Sequence, residues 1–201
     1  MRELKKLLVG FLLFSCAGWA LAAQPTAKER RIFREAYGLY WSGKAELALK
    51  VLRRQKNYTI PYPYYLMGLC YEYLGEYDKA VRFLGKSWRD FGFHKYTASA
   101  AVEEAAIRAY VFENPIGASV TLELAREKMA KAKAPIYDLC VVNYNLWYVK
   151  KDASLIPGEE KAFVETRCRD ILDVKLPSEG LPSKEEVEYK GENDTDNDTG
   201  G

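Results

Sequence analysis

In the stretch YPYYLMGLCYEYLGEYDKAVRFL, Tyr62 to Leu84, apolar and polar positions alternate with the period of a helix. Tyr64, Met67, Gly68 and Tyr71 stand at i, i+3, i+4 and i+7, which is one face. Gly68 carries no side chain, so a partner helix can approach closely there, and Ala80 offers the same closeness from the partner. Gly75 suits the left-handed conformation that ends a helix, so the stretch predicts a helix, a turn and a second helix. The same pattern lies 32 residues upstream. There Gly43, Ala48 and Leu52 align with Gly75, Ala80 and Leu84, and Ile32, Ala36 and Leu39 align with Tyr64, Gly68 and Tyr71. A single hairpin of this kind cannot bury its apolar face alone, so neighbours must stack.

Beyond residue 94 the pattern loosens but stays helical. KYTASAAVEEAAIRAYVFE predicts a helix of about four or five turns, broken by NPIG at Asn114 to Gly117. ASVTLELAREKMAKAKA predicts the return helix, with Leu122, Leu124, Ala125 and Met129 on its inner side. PIYDLCVVNYNLWYVKKD starts another hairpin, where Pro135 suits a first helical turn, and EEKAFVETRCRDILD closes it. Seven or eight helices are expected. From residue 175 the chain turns rich in Pro, Gly, Ser and acid, with too little apolar surface to offset the entropy of ordering, which predicts a disordered tail over 175–201.

The paired motif resembles the tetratricopeptide repeat. The second copy, residues 61–94, carries the resemblance: Tyr64 at the first large position, Met67-Gly68 at the Leu-Gly pair, then Tyr71, Gly75, Tyr77, Ala80 and Leu84. The first copy, residues 29–60, is weaker, with Glu35 and Ala36 at the Leu-Gly pair. Divergent hairpins over 95–132 and 134–173 complete the array. The resemblance implies an all-α, right-handed solenoid of about four antiparallel hairpins over residues 23–174. In that family the first helix of each repeat lines a concave groove. By position this implies groove residues Arg30, Phe33, Tyr37, Tyr40 and Trp41 from the first copy, and Tyr62, Tyr65, Leu69, Glu72 and Tyr73 from the second. The third hairpin adds Tyr96, Ser99 and Glu103. Tyr64, Tyr71 and Tyr77 read instead as packing residues. Two outcomes stay open for the groove set: an uncovered binding surface, or core beneath the tail or a neighbouring helix. The family's carboxylate-clamp subset uses Lys and Asn where this chain has aromatics, so that specificity does not carry over.

Composition adds the compartment. Residues 1–22 read as an export signal: a basic start through Arg2, Lys5 and Lys6, an apolar run, and Ala20-Leu21-Ala22 as the cleavage site. The alternatives are a retained anchor, or lipidation at Cys16 in LFSC, which would place the protein on a membrane surface. The formal charge of +2 hides an asymmetry. Residues 23–151 hold 21 basic and 13 acidic residues; from Asp152 onward there are 6 basic and 14 acidic. The basic residues form no runs, so nucleic acid is not the expected partner. After removal of the signal Cys70, Cys140 and Cys168 remain, and Cys140 with Cys168 is the pair expected to bridge. Cys70 reads as a small buried hydrophobe.

The search for chemistry is mostly negative. His94 is the only histidine, which excludes a multi-histidine metal site. No G-x-S-x-G, P-loop or C-x-x-C occurs, and no cofactor is expected. Glu103 and Glu104 diverge by about 100° on a helix, Glu72 and Glu76 lie four apart near a helix end, and all four read as solvated face charge. A catalytic role would require a perturbed acid inside the groove. The expectation is a non-enzymatic adaptor of the bacterial cell envelope, exported to the periplasm, whose groove binds a peptide or helix of another envelope protein. Tyrosine provides large contact area at low entropic cost, which suits that role. The alternative is a small-molecule or lipid-binding protein using the same groove.

Overall fold

The computed structural model describes residues 24–172. The signal segment 1–22, Cys16 and the tail 175–201 lie outside the described residues. Within them the chain is all-α, with eight helices and no strand. These are α1 (Ala27–Trp41), α2 (Ala45–Leu52), α3 (Tyr62–Tyr73), α4 (Tyr77–Arg89), α5 (Thr97–Ala106), α6 (Pro115–Lys131), α7 (Ile136–Asp152) and α8 (Glu159–Phe163). Each packs against the helix that follows it, and α1 lies alongside α3, as α5 does alongside α7. No helix among the described residues is long and apolar enough to cross a membrane.

The α3–α4 pair shows why the repeated motif is spaced as it is. A Cβ on Gly68 would stand 2.6 Å from Leu84 Cγ and 3.1 Å from the Leu84 backbone nitrogen. The two helices therefore touch through bare backbone, and Leu84 fills the gap. Ala80 is fully buried beside this contact. Tyr64 and Tyr71 are buried on the same face of α3. Tyr71 stacks on Phe83 with ring centroids 5.3 Å apart, and Tyr64 meets Phe91 at 5.6 Å. Both phenols find partners: the Tyr64 hydroxyl accepts from the Tyr58 N–H at 3.0 Å, and the Tyr71 hydroxyl accepts from Arg53. Gly43 and Gly75 end α1 and α3 with φ of 70° and 72°, a left-handed turn that favours glycine.

Three carboxylates are buried among the described residues: Glu160, which pairs with Lys150 at 3.3 Å, and Glu29 and Glu104, which hold neighbouring units together and are not legible as core in the sequence. Glu29 closes a capping box with Thr26 at the start of α1. It also accepts from the Thr59 N–H at 2.7 Å, tying α1 to the segment that leads into α3. Burial opposes its charge, but the Thr59 and Thr26 hydrogen bonds win and hold the carboxyl below its usual range. Glu104, expected as solvated charge, is fully buried. It accepts from Trp88 Nε1 at 2.8 Å and from Arg89 and Arg108, so these donors supply what water would have supplied.

Other expectations shift. The helix predicted over residues 95–113 ends as α-helix at Ala106 and finishes as a wider π turn over Ile107–Val111. Leu124 is half exposed, since α6 turns it away from the face on which Leu122, Ala125 and Met129 are fully buried. Asn114 does more than break the chain: its side chain accepts the Gly117 N–H at 2.8 Å and caps α6. Cys140 and Cys168 form a disulfide with Cα atoms 5.4 Å apart, and with Trp147 and Val164 they make a small second core where α7 meets the C-terminal turn. Cys70 is unpaired and fully buried, and burial pushes its thiol up to about 12.

The close contact predicts that Gly68→Ala is destabilising although alanine favours helix. The added methyl overpacks Leu84, with an expected loss of about 1–3 kcal/mol in a denaturant titration. An unchanged midpoint would mean that α3 and α4 are not in backbone contact.

Candidate functional site

Because Gly68, Tyr64 and Tyr71 face α4, the other side of α3 is left over. It carries Tyr62, Tyr65, Leu69 and Glu72, at i, i+3, i+7 and i+10. On α1, Phe33, Tyr37, Tyr40 and Trp41 share one face in the same way, flanking the buried Ile32 and Ala36. The side-by-side placement of α1 and α3 turns the two faces into the walls of one groove. Tyr96, just before α5, forms its far edge.

The rings make a continuous path. Trp41 meets Tyr37 edge-on at 5.9 Å, Tyr37 meets Phe33 at 5.7 Å, and Phe33 meets Tyr62 at 6.1 Å. Tyr62 meets Tyr96 at 5.5 Å, and Tyr96 stacks on Tyr65 at 5.0 Å. The groove has two connected compartments. The tighter is a cavity of about 120 Å³ lined by Phe33, Tyr37, Tyr40, Trp41, Tyr65, Leu66, Leu69 and Tyr96. The wider, of about 350 Å³, shares Phe33, Tyr37 and Tyr96 with it and is edged by Arg30, Arg34 and Lys95, with Tyr62 and Ile60 in its wall. Tyr37 and Trp41 are 42% and 69% exposed, so no described residue covers the groove at these positions.

The two ends differ in charge. Arg30, Arg34 and Lys95 stand at one end, and Lys95 Nζ lies 4.7 Å from the centre of the Tyr96 ring. Toward the other end are Glu72 and Glu103. Burial pushes the Glu72 carboxyl up to about 7, and the Glu103 charge adds to the shift. Burial raises Glu103 as well. Among the described residues neither carboxylate has a hydrogen-bond or ion-pair partner. Tyr40 is raised by burial, with Cys70 and both carboxylates contributing, and burial takes Tyr65 up to about 12.

Of the residues expected in the groove, Phe33, Tyr37, Tyr40, Trp41, Tyr65 and Leu69 line the tight cavity and Tyr62 the wider one. Glu72 is half-buried next to Glu103. Tyr73 is elsewhere: it is 65% exposed and lines a separate cleft with Gly43 to Leu47 and Leu74. As the last residue of α3 it has turned past the groove wall. Lys95 is not legible as a groove residue in the sequence, since nothing in the helical period places a residue before α5 against α1; Arg34, beside Phe33 on α1 itself, also edges the groove although the family positions do not include it. His94 serves structure. Its Nε2 lies 3.1 Å from the Ser87 carbonyl, its ring is 5.7 Å from Tyr62, and burial lowers its pKa. Among the described residues no three His, Cys, Asp or Glu side chains are grouped to hold a metal ion.

The raised Glu72 gives a pH signature. Its folded carboxyl binds a proton more readily than an unfolded one, so it weakens the fold above pH 7 and ceases to do so as pH falls toward 4.5. Glu72→Gln should raise Tm at pH 8 and leave it nearly unchanged at pH 5. An equal effect at both pH values would show that Glu72 titrates normally.

The chain matches no family model, no curated protein and no solved structure.

Proposed function

We propose that this chain is a non-enzymatic binding protein, a tetratricopeptide-like helical array of the bacterial envelope that holds a peptide or helix of another envelope protein in the α1–α3 groove. The observation that carries this reading is the run of six neighbouring rings, two of which, Tyr37 and Trp41, stand well exposed at one end of it. Clustered aromatics on an open surface are the composition of binding hot spots. The groove's two connected compartments follow the length of α1, which suits an extended segment. The consecutive packing of α1 to α7 supports a stacked array, and the spacing of the two motifs supports the family resemblance. Export is supported by the basic-apolar leader with its Ala20-Leu21-Ala22 site, and the Cys140–Cys168 disulfide suits an oxidising compartment. Glu72 is the group a catalytic reading would use, yet buried acid pairs of purely structural origin are perturbed in the same way. A second reading, a small apolar ligand in the same groove, has the ring-lined cavity of about 120 Å³ in its favour.

Photo-crosslinking in the cells that make the protein tests this. A photo-reactive residue at Tyr37 should yield one dominant protein adduct, whereas one at Tyr73, in the separate cleft, should not. Trp41→Ala should abolish the adduct while moving Tm by no more than a degree or two, since Trp41 is mostly exposed. No protein adduct, with a small molecule copurifying, would favour the second reading.

A further inference from the structure

We propose that the tight cavity takes an arginine side chain of the bound segment, and that the wider trough takes an acidic residue of the same segment against Arg30, Arg34 and Lys95; this rests on the peptide-binding reading above.

The walls select a cation. Aromatic faces carry negative charge density and attract cations, and the cavity between Tyr37, Tyr40, Trp41 and Tyr65 is built of such rings. The protein already uses one ring of the groove in this way, where Lys95 Nζ lies over Tyr96. Beyond the rings stand Glu72 and Glu103, two half-buried carboxylates without a partner among the described residues. Two neighbouring acids in a poorly hydrated place are costly unless protonated or paired with a positive group. Burial is the first cause of the shift in both acids and in Tyr40, and a cation arriving in the cavity beside them offsets that burial.

The shape selects guanidinium. It is planar, stacks on rings, is more weakly hydrated than an ammonium, and presents a fork that suits carboxylates. A cavity of about 120 Å³ holds the end of one side chain and not a folded element. The main chain then continues into the trough, where three cations make the opposite end of the groove complementary to acid.

The test uses the mature chain, residues 23–201, and a displayed library of random twelve-residue peptides. Enriched peptides should carry an arginine with an acidic neighbour. By fluorescence anisotropy, replacing that arginine with lysine should weaken binding at least fivefold, and with glutamine at least thirtyfold. The double variant Glu72→Gln/Glu103→Gln should fold, by circular dichroism, and bind the arginine and glutamine peptides within threefold of each other. Enriched peptides without a basic residue, or an arginine-to-glutamine change without effect, would overturn the arginine assignment and leave peptide binding intact. Failure of any peptide to enrich over a Tyr37→Ala/Tyr65→Ala protein would overturn both.

Discussion

The contact of α3 with α4 through Gly68 and Leu84 is the constraint from which the rest follows. It is too close for any side chain larger than hydrogen, so it fixes the rotation of α3 about its axis. Once Tyr64, Gly68 and Tyr71 face α4, Tyr62, Tyr65, Leu69 and Glu72 have no choice but to face away. The tyrosines of one helix are thereby sorted into two jobs. Those against α4 are buried, stacked and hydrogen-bonded; those against α1 keep some of their surface free.

The second wall depends on charge rather than on packing alone. Glu29 is a fully buried carboxylate that joins the cap of α1 to Thr59, just ahead of α3. It sets how α1 stands beside α3, and so the width between Phe33 and Tyr62. Glu104 has the matching role in the next hairpin, where Trp88, Arg89 and Arg108 hold it between α4 and α5. The start of α5, and with it Tyr96 and Lys95, is held by Thr97, whose hydroxyl accepts from the His94 N–H at 2.9 Å, and by His94, whose Nε2 lies 3.1 Å from the Ser87 carbonyl. Both acids are satisfied, in contrast to Glu72 and Glu103, which face the groove without partners among the described residues. The contrast separates the acids that hold helices together from those that do not.

Much of this was legible because helical period and small residues act locally. The two hairpins, the left-handed glycines, the Gly68 contact and the split between Tyr64 and Tyr65 follow from positions a few residues apart. The Cys140–Cys168 bridge was legible by elimination, since Cys70 stands on a buried face. What escaped depends on which helices meet. Glu104 looks solvated until Trp88 and two arginines are brought to it. Tyr73 has groove spacing but stands at the last turn of α3, where the wall has ended. Lys95 joins Arg30 and Arg34 at the cationic end only because the connection before α5 folds back toward α1. The π turn over Ile107–Val111 has no signature in a run of alanines and mixed residues.

The central claim is that the α1–α3 groove of the whole protein is an open surface. Hydroxyl-radical footprinting of residues 23–201, read by mass spectrometry at each aromatic, answers this. With an open groove, Trp41 and Tyr37 are labelled with protection factors close to that of Tyr73, while Tyr64 and Tyr71 are protected. Protection of Trp41 and Tyr37 with Tyr73 still reactive would mean that the groove is filled by another segment of the chain, and would contradict it.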